Sequence, residues 1–184
     1  MNPRIVEKIR RRANGFYNLG LDLANRQNLS GARQELVKAV SYDKRHTNAR
    51  NLLGLVCFQM GEIGEAVRHW TTSIALQPGP DNRAQRYLQD LKRNEKLVQS
   101  MNESLRLCNE AMVQLRKESP DYALVRLKKA VAMNRNYIKA YLLMALCYME
   151  TKNFRKAKAT LDKVEKLDVN NAVVFSYRTA IREM

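Results

Sequence analysis

The chain has 184 residues, 45% of them apolar, enough to bury a core as one domain or one continuous array. Seven glycines and four prolines are too few for the many turns of an all-β protein. Against 18 Asp and Glu stand 33 Lys and Arg, a formal charge of +15, which admits an anionic partner or a merely solvated basic surface and does not choose among nucleic acid, acidic peptide and lipid.

The first segment, "MNPRIVEKIRRR", is basic, but no long apolar stretch follows it, so it is no secretory signal. Asn2-Pro3 marks a helix start, and a helix is expected from about residue 3 to 26, with Phe16, Leu19 and Leu23 among its apolar residues. Next comes a stripe of Ala32, Leu36 and Val40. Thirty-four residues further on, Ala66, Trp70 and Ile74 repeat it, and Pro78-Gly79-Pro80 stops that helix. Leu19-Gly20-Leu21 returns as Leu53-Gly54-Leu55 at the same shift. In the second half, Ala123, Leu127, Val131 and Met133 return as Ala157, Leu161, Glu165 and Leu167, where only the Val131-to-Glu165 step breaks the apolar match and Val164 beside it can fill the gap.

A fixed 34-residue period with two helical stripes per period describes a stack of helix-turn-helix layers. Gly20, Gly54 and Ala145 allow close approach in the first helix of a pair, as do Ala32, Ala66, Ala123 and Ala157 in the second. Leu36 and Trp70 fill the space left. Four units are read, at about 13–46, 47–80, 104–137 and 138–171, followed by a closing helix over 172–184.

Ala66 and Ala123 are 57 residues apart, one period plus 23, so the array is interrupted over residues 81–101. One extra helix is expected at about 82–98. Ser100-Met101-Asn102-Glu103 then reads as a capping box opening the third unit. Its turn, Glu118-Ser119-Pro120-Asp121, is expected to carry one extra residue, and Asp121 and Asn171 are expected to cap helices.

These residues resemble the tetratricopeptide repeat family. The second unit carries the resemblance through Leu53-Gly54, Cys57, Gly61, Ala66, Trp70 and Pro78. The first does so through Leu19-Gly20, Leu23, Ala32 and Ala39, and the last through Tyr141, Ala145, Tyr148, Phe154 and Ala157. The resemblance implies an all-α, right-handed superhelical solenoid that acts as a non-catalytic scaffold for protein interaction. In that family the first helix of each pair lines a concave groove. Carried onto this chain, the peptide-binding set is Asn14, Tyr17, Asn18, Leu21 and Asn25 from the first unit, and Asn48, Asn51, Leu52, Leu55, Phe58 and Gln59 from the second. The extra helix adds Arg86, beside Gln85 and Gln89. Amides donate and accept, so they suit the backbone of an extended peptide, while Tyr17, Leu55 and Phe58 would hold its side chains. Of the Lys/Asn/Arg clamp by which some family members hold a chaperone tail, only Arg86 matches, so that mode is rejected.

No catalytic residue, metal ligand set or cofactor site is read. His46 and His69 have no Cys, Ser or carboxylate at a catalytic spacing, and no glycine-rich phosphate loop is present. Cys57, Cys108 and Cys147 are odd in number and far apart, which suits buried thiols in a cytoplasmic setting. No apolar run approaches the 18 residues of a membrane span. The expected partner is a protein or peptide, and the charge admits an acidic one. Weak self-association and tethering within a longer, membrane-anchored protein stay open. The alternative is a nucleic-acid-binding helical-repeat protein, supported by residues 8–12, by Arg126, Lys128 and Lys129, and by Lys152, Arg155, Lys156 and Lys158.

Overall fold

The computed structural model describes residues 3–183, and among them it contains ten α-helices and no strand. They are α1 (Pro3–Asn25), α2 (Leu29–Tyr42), α3 (Thr47–Gln59), α4 (Ile63–Leu76), α5 (Arg83–Arg93), α6 (Glu95–Arg116), α7 (Pro120–Met133), α8 (Ile138–Glu150), α9 (Phe154–Leu167) and α10 (Ala172–Glu183). They fall into two compact units. The first comprises Met1–Gln59 and Ile63–Glu95, and the second Met60–Glu62 and Lys96–Met184.

In the first unit α1 packs on α2, α2 on α3, α3 on α4 and α4 on α5. The 34-residue period has a steric cause. A Cβ on Gly20 would fall 2.7 Å from Leu36 Cγ, and one on Gly54 would fall 2.6 Å from Trp70 Cδ1. Each glycine therefore accepts the large side chain sixteen residues later, and both of those side chains are buried. Asparagines and a histidine supply the helix starts. The Asn28 side chain accepts from Gly31 N–H at 2.9 Å, His46 Nδ1 from Ala49 N–H at 3.2 Å and Asn82 Oδ1 from Ala84 N–H at 3.1 Å.

The second unit stacks α8 between α7 and α9, and α10 packs on α8 and α9. Its core includes Leu127, Tyr137, Ile138, Leu161, Val164 and Val174. Ser104 Oγ donates to the Ala130 carbonyl at 2.8 Å and ties α6 to α7. Asn171 caps α10, as expected, by accepting from Val173 N–H at 2.9 Å. The three cysteines are buried, and burial pushes the Cys147 thiol up to about 11.

Four details correct the sequence reading. The extra helix ends at Arg93 and not at 98, because Asn94 forms its C-cap and α6 begins at Glu95. Ser100–Glu103 is therefore no capping box but lies inside α6. There Ser100 Oγ donates to the Met133 carbonyl at 2.8 Å and Met101 is buried, so tertiary packing uses the residues that could have capped a helix. The third unit's turn carries no extra residue. Glu118 (φ 54°) stands 34 residues before Lys152 (φ 55°), just as Gln27 (φ 59°) stands 34 before Gly61 (φ 82°), and all four are the left-handed residue of the same turn. Asp121 is not a cap either. It sits in the first turn of α7, and Ser119 takes the N-cap position without a side-chain capping bond, its Oγ donating instead to the Lys117 carbonyl at 3.2 Å. Asn2 and Met184 lie outside the described residues, so α1 is described from Pro3 and α10 up to Glu183.

Candidate peptide groove

Within the first unit, α1, α3 and the segment leading into α5 enclose an open cavity of about 360 Å³. Seven of the expected residues line it: Tyr17, Leu21 and Asn25 from α1, and Asn48, Asn51, Leu52 and Leu55 from α3. Helical spacing explains the grouping. Tyr17, Leu21 and Asn25 are successive i, i+4 positions, and Asn48, Asn51, Leu52 and Leu55 follow i, i+3, i+4, i+7.

Asn51 is the best-defined polar group in the cavity wall. Its side chain is only 8% exposed. Its Nδ2 donates to Asn82 Oδ1 at 2.9 Å, and its backbone carbonyl accepts the Trp70 indole N–H at 3.1 Å. Asn82 is fixed in turn, with its Nδ2 donating to the Ser73 and Gln77 carbonyls at 3.1 and 2.9 Å. Those bonds settle which way each amide points. They leave Asn51 Oδ1 buried with no hydrogen-bond partner among the described residues. A buried acceptor without a donor is costly, and it is uncommon in native proteins.

Five expected site residues do not line the cavity. Asn14 is engaged elsewhere: its Oδ1 accepts from His46 Nε2 at 3.0 Å, while the Tyr17 ring lies 5.2 Å from the imidazole. Burial lowers the His46 pKa, consistent with a neutral ring that accepts at Nδ1 and donates at Nε2. Asn18 and Gln59 are exposed outside the lining. Phe58 turns its ring to Trp70 at 6.1 Å. Arg86 is exposed, and the α5 residues in the lining are Arg83 and Tyr87.

The sequence reading missed Gln77, Asp81, Asn82, Arg83 and Tyr87. A signal existed for Asn82, because Asn14, Asn48 and Asn82 follow one another at 34-residue steps. None existed for Tyr87, whose place follows from its ring lying 5.0 Å from that of Trp70. Thr47 Oγ1 donates to Gln77 Oε1 at 2.8 Å and fixes that wall. Asp81 and Arg83 are the two charged residues of the lining, so the groove is close to neutral although the chain carries +15.

Residues 114–181 match the tetratricopeptide repeat family. Among solved structures, the chain is similar to the first TPR of Spaghetti bound to an HSP90 peptide. The two share 20% identity over 77% of this chain and 94% of that one, with a TM-score of 0.40. It is similar to YrrB, a TPR protein with an unusual peptide-binding site, at 16% identity over 96% of both chains and a TM-score of 0.41. The pilF protein of Pseudomonas aeruginosa shares 21% identity over 97% of this chain and 89% of its own, also with a TM-score of 0.41. No curated protein matches.

Proposed function

We propose that the chain, whose residues 114–181 match the tetratricopeptide repeat family, is a non-catalytic interaction scaffold whose first unit binds an extended peptide in the α1–α3–α5 groove. The cavity lining, neutral amides interleaved with apolar and aromatic side chains, carries this reading. An extended strand presents backbone N–H and C=O groups on alternate residues, and side-chain amides can pair with both. Asn25, Asn48, Asn51 and Gln77 supply amides, and Tyr17, Leu21, Leu52, Leu55 and Tyr87 supply apolar and aromatic walls. Such a lining suits a mostly uncharged segment with an apolar side chain between its pairing amides.

Titration of a degenerate peptide pool against the full chain, with retained sequences identified, tests the proposal. The expected result is a family of neutral, apolar-containing segments whose binding falls at least about tenfold in Asn51→Ala, the loss of one buried hydrogen bond. Binding that is insensitive to Asn51→Ala and falls steeply with salt on any oligonucleotide would replace it with the nucleic-acid reading.

A further inference from the structure

The basic start of the chain has no part in the groove, and it has a defined geometry. On α1, Ala13, Phe16 and Gly20 face α2: Gly20 meets Leu36, and the Phe16 ring lies 5.3 Å from that of Tyr42. Tyr42 is the last residue of α2, and the Arg12 guanidinium sits over its ring at 5.4 Å. Residues 3–11 therefore run on past the end of α2 as about two and a half further turns of helix. The packing face continues along them. At 3.6 residues per turn, Ile5, Val6 and Ile9 fall within roughly 100° of arc and on the same side as Ala13, Phe16 and Gly20. Ile5 is 53% exposed, and Val6 and Ile9 are partly exposed. Lys8 and Arg12 flank this stripe on one side and Arg10 on the other. Glu7, the single acid of residues 3–12, is paired with Arg11 at 2.6 Å.

We infer that residues 3–12 form a docking element for an anionic lipid surface, with Ile5, Val6 and Ile9 entering the headgroup–acyl boundary and Lys8, Arg10 and Arg12 meeting the lipid phosphates. Charge selects the class of occupant. A second copy would set Lys8, Arg10 and Arg12 against the same cations, whereas an anionic surface attracts them. Apolar content selects within the class. Nucleic-acid phosphates would use the cations and leave three aliphatic side chains in water, whereas an interfacial helix uses both faces. The size of the element points the same way. Two and a half turns offer far less than the ~800 Å² per partner of a standard protein interface, while at an anionic bilayer the attraction of the flanking cations adds to the burial of a short apolar stripe. No helix of the described residues is long and apolar enough to cross a membrane, so the contact is peripheral.

Co-flotation of the full chain with vesicles of phosphatidylcholine, with and without about 30% phosphatidylglycerol, reads the inference directly. The expected result is at least tenfold more protein on the anionic vesicles, with that excess lost in Ile5→Asn/Ile9→Asn and also in Lys8→Gln/Arg10→Gln. All four side chains are wholly or partly exposed, and unchanged melting of both variants verifies that the fold is intact. Asn51→Ala should float like the wild type, which separates this element from the groove. Equal partition onto neutral and anionic vesicles would overturn the inference. So would full anionic binding in the isoleucine variant, or a single-stranded oligonucleotide that outcompetes the vesicles, since either would mean a purely electrostatic surface.

Discussion

Gly54 and Trp70 share one space: a Cβ on Gly54 would fall 2.6 Å from Trp70 Cδ1, and the indole, only 2% exposed, has no room to yield. Gly54→Ala is therefore expected to destabilise by about 1–3 kcal/mol through overpacking, and Trp70→Ala by about 3–5 kcal/mol through the cavity it leaves. Because both effects concern the same volume, they should not add. In a Trp70→Ala background Gly54→Ala should cost little, a coupling that urea unfolding of the four-member cycle measures. Additive losses would mean that the two residues act independently.

The repeat was legible because its cause is local and steric. A glycine with a large residue sixteen positions later leaves a trace in the sequence, twice in the first half, as Gly20/Leu36 and Gly54/Trp70. The groove was legible on α1 and α3 for the same reason: helical spacing alone places Tyr17 over Leu21 and Asn48 over Leu52. Its fifth helix was not, because the face that α5 presents is set by Tyr87 meeting the Trp70 ring, a contact outside the 34-residue period. Asn14 stands apart from the cavity because its Oδ1 accepts from a loop histidine that the period does not encode. Ser100 and Glu103 have the spacing of a cap, and only the Met133 carbonyl beside Ser100 reveals a helix interior.

The recurrent left-handed turn residue gives a pair of opposite expectations. Lys152 holds φ 55° with a side chain that disfavours it, so Lys152→Gly should stabilise by about 0.5–1 kcal/mol. The equivalent Gly61 has φ 82°, and a Cβ there would fall 2.7 Å from Tyr137 Cα within the second unit, where Asn134 Nδ2 also donates to the Gly61 carbonyl at 3.0 Å. Gly61→Ala should therefore destabilise by more than about 1 kcal/mol. Thermal unfolding of the two variants checks the signs.

Acid should weaken the fold through its histidines. Burial, then the neighbouring Arg68, pushes His69 down to about 4, and burial also lowers His46. Both are depressed relative to the unfolded chain, so the folded state holds them neutral. Their contribution is complete above about pH 6.5, declines as the unfolded state takes up protons, and for His69 is lost once the pH has fallen through about 4. The His69 part amounts to roughly 3 kcal/mol at most. Denaturant titrations between pH 7 and 4 should show this loss, and His69→Gln should flatten it. An unchanged slope in that variant would place the acid sensitivity elsewhere.

Asn51 and Asn82 are bonded to each other but should respond differently to truncation. Asn82 satisfies the Ala84 N–H and donates to the Ser73 and Gln77 carbonyls, so Asn82→Ala leaves several buried groups unpaired and should cost about 2–3 kcal/mol. It also removes the acceptor that orients the Asn51 amide, so peptide affinity should fall with stability. Asn51→Ala removes one bond and one buried acceptor that had no partner, so stability should change by less than about 1 kcal/mol while affinity falls about tenfold. Asn14→Ala should leave affinity unchanged, because its Oδ1 faces His46 and not the cavity. Calorimetric titration of one selected peptide against the three variants, alongside their melting curves, distinguishes these outcomes. Equal affinity losses in Asn14→Ala and Asn51→Ala would mean that the ligand follows the outer rim of α1 and that the Asn51 acceptor is not its anchor.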